Sequence, residues 1–372
     1  MQLHIVSFDI PFPPNYGGVI DIFYKLKALS KQGVKIILHC FEYNRPPVKE
    51  LEKYCSRVHY YKRDTAKSQL FHRLPYIVVS RSSQQLIKNL LEDDAPVLFE
   101  GLHSCYFLND ERLKNRMRIV RTHNVEHDYY QSLARVESDI FKRYYFFNES
   151  EKLKVFENVL EHASHIAAIS PNDKAYFKRK FGNAVYLPAF HSNDKVRSQT
   201  GSGTYALYHG NLSIGENHQA ALFLVQEVFN ELEHPLVIAG NKPSKELRDA
   251  INKSHNIKLM ADISTEEINR LISESHINVL PTFQPTGIKL KLLTALFNGR
   301  HALVNTTMVE NTGLEKLCHI ADSRNEFRKK IKALFKKEFA THDLEKRKKV
   351  LLENFSNETN AGILLNLLNE KQ

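Results

Sequence analysis

Apolar residues fall in short runs along this chain, separated by longer stretches where they recur at helical spacing. Leu3-His-Ile-Val-Ser-Phe8 reads as a buried strand and residues 11–18 as a loop. Residues 19–32 then form a helix closed by Gly33, and 34–41 the next strand, which makes a β-α-β unit. Further strands are predicted at 77–79, 97–99, 118–121 and 166–170, the last leading into a helix from Pro171. Residues 128–165 read as helices rich in Tyr, Phe and Glu, with the aromatic rings assigned to the core. A polar, glycine-bearing stretch at 191–203 marks a linker. Beyond it a second series opens with a strand at 205–208, a His209-Gly210-Asn211 turn and a helix from Asn217. Strands at 236–239 and 277–280 follow. The pattern predicts an α/β chain of two Rossmann-like domains in tandem, with a ligand cleft between them.

Residues 287–299 break the apolar rule in one place, because Lys289 and Lys291 stand among leucines at the start of a helix. An ammonium in such surroundings must reach past its neighbours into water, shift its pKa or meet an anion. The helix follows an apolar run and a turn-like Gln284-Pro285-Thr286-Gly287, so its N-terminus opens where an α/β sheet receives ligands, and a phosphate fits there. Gly17 and Gly18 start the first helix, where bare backbone N–H groups can approach a diphosphate or a sugar. Two predicted strands end in histidines. One leads to His103, the other to His123 with Asn124 and Glu126, which places both on the carboxyl rim of the sheet.

With 372 residues, 42% of them hydrophobic, and no apolar run near the length of a membrane span, the chain is expected to be soluble. Four scattered cysteines and the absence of a signal-peptide pattern point to the cytoplasm. The formal charge of +10 favours acidic partners. Much of it lies in 324–337 and 346–349, where Phe327, Ile331, Leu334 and Phe335 keep helical spacing. That stretch reads as a solvated amphipathic helix, or alternatively as a contact with the anionic inner face of a membrane. Zinc spacings, the phosphate loop of nucleotide hydrolases and the serine-hydrolase elbow are all missing, and nothing calls for a cofactor.

Taken in order, several motifs resemble the retaining glycosyltransferases of the GT-B fold, in particular the group-1 or family-4 class. They are Pro14-Asn-Tyr-Gly-Gly18, Thr122-His-Asn-Val-Glu126, His209-Gly-Asn-Leu212 with Asn217, Val237-Ile-Ala-Gly240 with Pro243, and Gly287-x-Lys289-x-Lys291-x-x-Thr294-Ala295 with Gly299. The resemblance implies an acceptor-side domain over 1–192, a donor domain over 203–344, and a closing helix within about 345–370 that crosses back to the first domain. It implies that Lys289 and Lys291 neutralise a leaving diphosphate. His123 would bond the donor sugar or stabilise charge at the anomeric centre, with His103, Asn124 and Glu126 on the acceptor side. Gly17, Gly18, Gly210, Asn211 and Gly287 would border the donor, while Asp262 and Ile263 would meet the nucleotide base. The chain departs from the family where Thr294 and Thr286 replace acidic residues, the former commonly binding the ribose. The Gly210 turn also lacks the family's Arg and Lys.

The expectation is a metal-independent transferase moving a hexose from a nucleotide-diphosphate sugar to a glycan or lipid-linked acceptor. The charge a metal would supply comes from lysines, and no Asp-x-Asp pair occurs. One alternative is a GT-B sugar-nucleotide epimerase, which needs an acid/base carboxylate pair that the sequence does not reveal. Another is a degenerate, non-catalytic glycan- or partner-binding protein, for which Thr294 speaks. A nucleic-acid role has only the charge behind it and no recognition motif.

Overall fold

The computed structural model describes residues 1–137, 139–283 and 290–370. Contacts divide them into two compact units, one of residues 1–192 with 355–370, the other of residues 193–283 with 290–354. Gly287 and Lys289, with the rest of the 284–287 turn, lie outside the described residues.

The first unit is built on a seven-stranded parallel sheet: β1 (Gln2–Ser7), β2 (Lys35–Glu42), β3 (Arg57–Lys62), β4 (Val97–Glu100), β5 (Arg118–Thr122), β6 (His165–Ala168) and β7 (Ala184–Tyr186). The strand order is 3-2-1-4-5-6-7, so the winding reverses between β1 and β4, where Val6 stands opposite Phe99. Alternation along the strands feeds two cores, one on each face. Leu3, Ile5, Leu38 and Ile119 pack beneath the Gly17–Lys31 helix, while Val6, Phe41, Phe99 and Val120 pack on the other side. The Asn357–Asn369 helix adds Ala361, Leu364, Leu367 and Leu368 to the first of these cores. It is pinned by Asn360 Nδ2, which donates to the Ala189 carbonyl at 3.1 Å.

The second unit repeats the plan with six parallel strands: β8 (Ala206–His209), β9 (Leu236–Gly240), β10 (Ile257–Ala261), β11 (Ile277–Leu280), β12 (His301–Val304) and β13 (His319–Ile320). Their order is 10-9-8-11-12-13, reversing between β8 and β11. The stretch read as a linker is tied to this unit, since the Arg197 N–H donates to the Phe297 carbonyl at 2.6 Å and Gly201 bridges Phe339. The Thr341–Phe355 helix belongs to the second unit up to residue 354, and only the helix after it joins the first.

Two sequence readings are corrected. Residues 77–79 are not a strand but the body of a one-turn helix, Tyr76–Val79, started by Pro75. A run of three apolar residues carries no period, so a proline with helical φ decides the outcome. The aromatic residues of 128–165 are not all core, because the Ile140–Phe156 helix leaves Phe141, Tyr144 and Phe147 exposed. The basic Arg324–Leu334 helix buries Phe327, Ile331 and Leu334, so its apolar stripe is already used within the second unit. Among the described residues no helix is long and apolar enough to cross a membrane.

Candidate functional site

In the first unit the switch between β1 and β4 gathers a buried ionic network under the carboxyl rim. Asp21 and Lys25 lie one turn apart on the Gly17–Lys31 helix, both buried. Lys25 Nζ donates to Asp21 Oδ2 at 3.0 Å and to Glu100 Oε1, at the end of β4, at 2.6 Å. Arg121 on β5 grips Asp21 with two bonds, at 2.9 and 3.1 Å, and gives its remaining hydrogens to the carbonyls of Ala167, Leu187 and Pro188. Burial pushes the Asp21 carboxyl up, but Arg121 and Lys25 outweigh it and hold the group well below the usual carboxylate range. For Glu100 the same opposition, burial against Lys25 and the His123 hydrogen bond, also ends below the ordinary value.

Glu100 therefore stays a carboxylate, and its Oε2 lies 3.1 Å from His123 Nε2. A carboxylate can only accept, so Nε2 carries the hydrogen, and in the neutral form of the ring the lone pair sits at Nδ1. That Nδ1 atom is buried and has no hydrogen-bond partner among the described residues, and the same holds for His103 Nδ1. Leaving a buried polar atom unpaired costs about 1–3 kcal/mol. Phe8, just past β1, packs against both rings, with centroids 5.2 Å from His103 and 5.6 Å from His123. Its ring also explains Gly18, since a Cβ there would stand 2.6 Å from Phe8 Cζ. Gly101 has φ +71°, and a Cβ on it would press to 3.0 Å from His103 Nδ1.

Glu126 opens the next helix 3.9 Å from His103. Burial, with Asp173 and Glu157 adding, raises its pKa to about 8 against the Asn124 hydrogen bond, so it is a neutral acid at pH 7. The unit thus holds an ionised, cation-paired carboxylate and a protonated one on either side of two imidazoles. Asp21, Glu100 and His123 are also near enough to one another to hold a metal ion, but Lys25 already bonds both carboxylates.

In the second unit the rim is simpler. Gly210 follows β8, and the Gly215–Phe223 helix brings Asn217 back to it, with Asn217 Nδ2 donating to the Asn211 carbonyl at 3.0 Å. Lys291, on the Leu290–Asn298 helix, donates to Asn217 Oδ1 and lies 5.5 Å over the Tyr208 ring. Burial lowers its pKa, with the Glu216 carboxylate acting in the opposite sense. Glu216 in turn accepts from the Thr282 hydroxyl beyond β11. His209, buried at the end of β8, is lowered to about 3 by burial and by Lys291, and its Nε2 has no partner among the described residues. The glycines permit this closeness. A Cβ on Gly210 would touch Asn217 at 3.1 Å, and one on Gly240 would overlap the Gly210 carbonyl oxygen at 1.8 Å.

His103, His123 and Glu126 thus come together in the first unit, with Asn124 beside Glu126, and Gly17 and Gly18 open the helix next to them. Gly210, Asn211 and Lys291 come together in the second. Asp262 and Ile263 follow β10, with the Asp262 N–H donating to the Gly240 carbonyl at 3.1 Å. Asp262, at φ +55°, accepts from the Lys242 N–H at 2.8 Å, and Ile263 packs on the core behind β8 and β9. Thr294 bonds its hydroxyl to the Leu290 carbonyl at 3.0 Å, within its own helix. Sequence reasoning missed Phe8, Asp21, Lys25, Glu100, Arg121, Glu216 and His209. The one available signal was the acid and base one turn apart among the core positions of the first helix.

No family model matches the chain. A protein of Klebsiella pneumoniae described as an uncharacterized 44.6 kDa protein in the cps region is 29% identical over 332 residues, 84% of each chain. Sucrose-phosphate synthase from Thermosynechococcus elongatus superposes with a TM-score of 0.71 at 15% identity, covering 98% of each chain. Anabaena HepE, solved in complex with UDP and glucose, gives 0.68 at 10% identity over 99% of each. The chain has the GT-B fold.

Proposed function

With the GT-B fold as premise, we propose that the protein is a metal-independent retaining glycosyltransferase that moves a hexose from a nucleotide-diphosphate sugar to a hydroxyl of a glycan or lipid-linked acceptor. The observation that carries this reading is Lys291, an ammonium bonded to a neutral amide at the rim of the second sheet. In the transfer the bond from the anomeric carbon to the phosphate oxygen breaks, one to the acceptor oxygen forms, and the acceptor hydroxyl's proton passes to the departing phosphate oxygen. Negative charge gathers on the departing diphosphate, and Lys291, with Lys289, would meet it. Gly210 and Asn211 leave room for its oxygens, and His123 Nδ1, fixed by Glu100, would take a hydrogen bond from a sugar hydroxyl. His103, Asn124 and Glu126 would face the acceptor, Glu126 as a donor because it is protonated. The UDP and glucose bound to HepE support a nucleotide-sugar donor.

A second reading, a non-catalytic binding protein, is favoured by Thr294, whose hydroxyl is already engaged with Leu290 and replaces a charge that would hold the ribose. Thermal shifts with UDP, GDP and ADP and their sugar conjugates separate the two. A transferase is stabilised by one nucleotide series, by about 2.7 kcal/mol at a hundredfold excess over Kd, and Lys291→Ala loses the shift. Stabilisation of neither protein by any nucleotide would leave the binding-protein reading. Turnover abolished by a chelator would overturn metal independence.

A further inference from the structure

The Ile140–Phe156 helix carries an apolar face that the first unit does not cover. Ile140 is 68% exposed, Phe141 88%, Tyr144 68% and Phe147 50%, and Ile140, Tyr144 and Phe147 fall at i, i+4 and i+7, on one side of the helix. The neighbouring 67–71 segment, held to this helix by Lys152 Nζ donating to the Leu70 carbonyl at 3.0 Å, exposes Phe71 to 89%. Rings this bare are unusual on a surface that only has to stay in water. Between this helix and the Glu126–Val136 helix runs a cleft of about 570 Å³ lined by Ala134, Ile140, Tyr144 and Phe147, with Arg135 and Arg143 among them.

The charges around the patch say what covers it. Arg135, Lys142 and Arg143 are exposed, and among the described residues none of them forms an ion pair. The first two turns of the Ile140–Phe156 helix contain no acidic residue, and of the two acids just before it Asp139 caps the Lys142 N–H at 2.9 Å while Glu137 accepts from the Asp139 N–H at 3.0 Å, which leaves the three cations in excess. A second copy docking through a two-fold axis would bring two sets of these cations into one interface, which opposes self-association. A bilayer with acidic headgroups offers both halves of the complement: an acyl boundary for the rings and phosphates for the arginines. We propose that this helical hairpin is a membrane-docking face of the first unit, lying in the interface of an anionic bilayer. The proposal rests on the surface alone, so it stands or falls separately from the transferase reading.

Co-sedimentation with phosphatidylcholine vesicles, with and without phosphatidylglycerol, tests it by binding rather than turnover. The wild type is expected to bind the anionic vesicles only. Phe141→Ser/Tyr144→Ser should lower partitioning about tenfold or more, and Arg135→Gln/Arg143→Gln by several-fold with a weaker salt dependence. Lys329→Gln/Lys336→Gln, on the helix whose apolar stripe is buried, should bind as the wild type does. All substituted side chains are exposed or line the open cleft, and circular dichroism checks that the folds match. No binding by the wild type, equal binding to neutral vesicles, or loss of binding only in the Lys329/Lys336 variant would overturn the assignment. So would self-association in sedimentation velocity that the aromatic variant abolishes.

Discussion

At neutral pH the Glu126 carboxyl keeps its proton, and this makes its surroundings measurable. Its pKa rises from an ordinary 4.5 to about 8 in the folded protein. As pH climbs through that window the unfolded chain releases the proton while the folded one holds it. The contribution of Glu126 is therefore full below about pH 4.5, declines toward pH 8 and levels off above it. Glu126→Gln, which cannot ionise, should flatten the stability profile and gain a few kcal/mol over the wild type at pH 8, with little difference at pH 5. Urea unfolding at the two pH values checks this. The lowered histidines, His4, His39 and His103 among them, act in the opposite direction: the folded rings refuse a proton that the unfolded chain accepts below about 6.5. The difference between the variant and the wild type isolates Glu126 from them. None of this was legible in the sequence, where Glu126 is one polar residue in a motif. Its protonation depends first on burial and then on Asp173 and Glu157, all brought about by other elements. Arg121 is the same kind of case, a strand residue whose partner Asp21 lies a hundred positions earlier.

Among elements, the Gly17–Lys31 helix shows how much a first turn can be constrained. Alanine is a better helix former than glycine by about 1 kcal/mol, but a Cβ at Gly18 would meet Phe8 at 2.6 Å. Overpacking of this kind costs about 1–3 kcal/mol. Gly18→Ala should therefore lower the melting temperature and disturb His103 and His123, against which Phe8 packs. Gly18→Ala/Phe8→Leu should recover much of the stability, which calorimetry can read. Most inner strands of both sheets were legible because they are largely apolar runs, buried on both faces. β3 and β10 were not, since each is an edge strand with its Tyr, His or Lys partly exposed. β12, four residues directly after a helix, offered too short a run to separate from it.

For the whole molecule, the order of the chain and the order of the cores differ. The last helix, Asn357–Asn369, is separated in sequence from everything it packs on by the entire second unit. A chain ending at Asn354 should lose several kcal/mol in the first unit, at about 1.5–3 kcal/mol for each fully buried leucine. The second unit should be unaffected. Hydrogen exchange would show this as lost protection in β1 and β2 with β8 and β9 unchanged, whereas a uniform loss would mean the helix serves both units. The tandem β-α-β series announced two domains, and the resemblance, rather than the periodicity, suggested that the chain crosses back.

This threading also sets a timetable at the ribosome. The strands of the first sheet emerge early, yet Val19, Ile22, Phe23 and Leu26 await partners that are translated last. At ordinary elongation speeds the intervening 193–356 segment takes roughly ten to thirty seconds to make. Throughout that interval the oldest part of the polypeptide carries an uncovered greasy face, and the younger half is complete at residue 354, before the helix that covers that face has been made. The half that is born first is finished last.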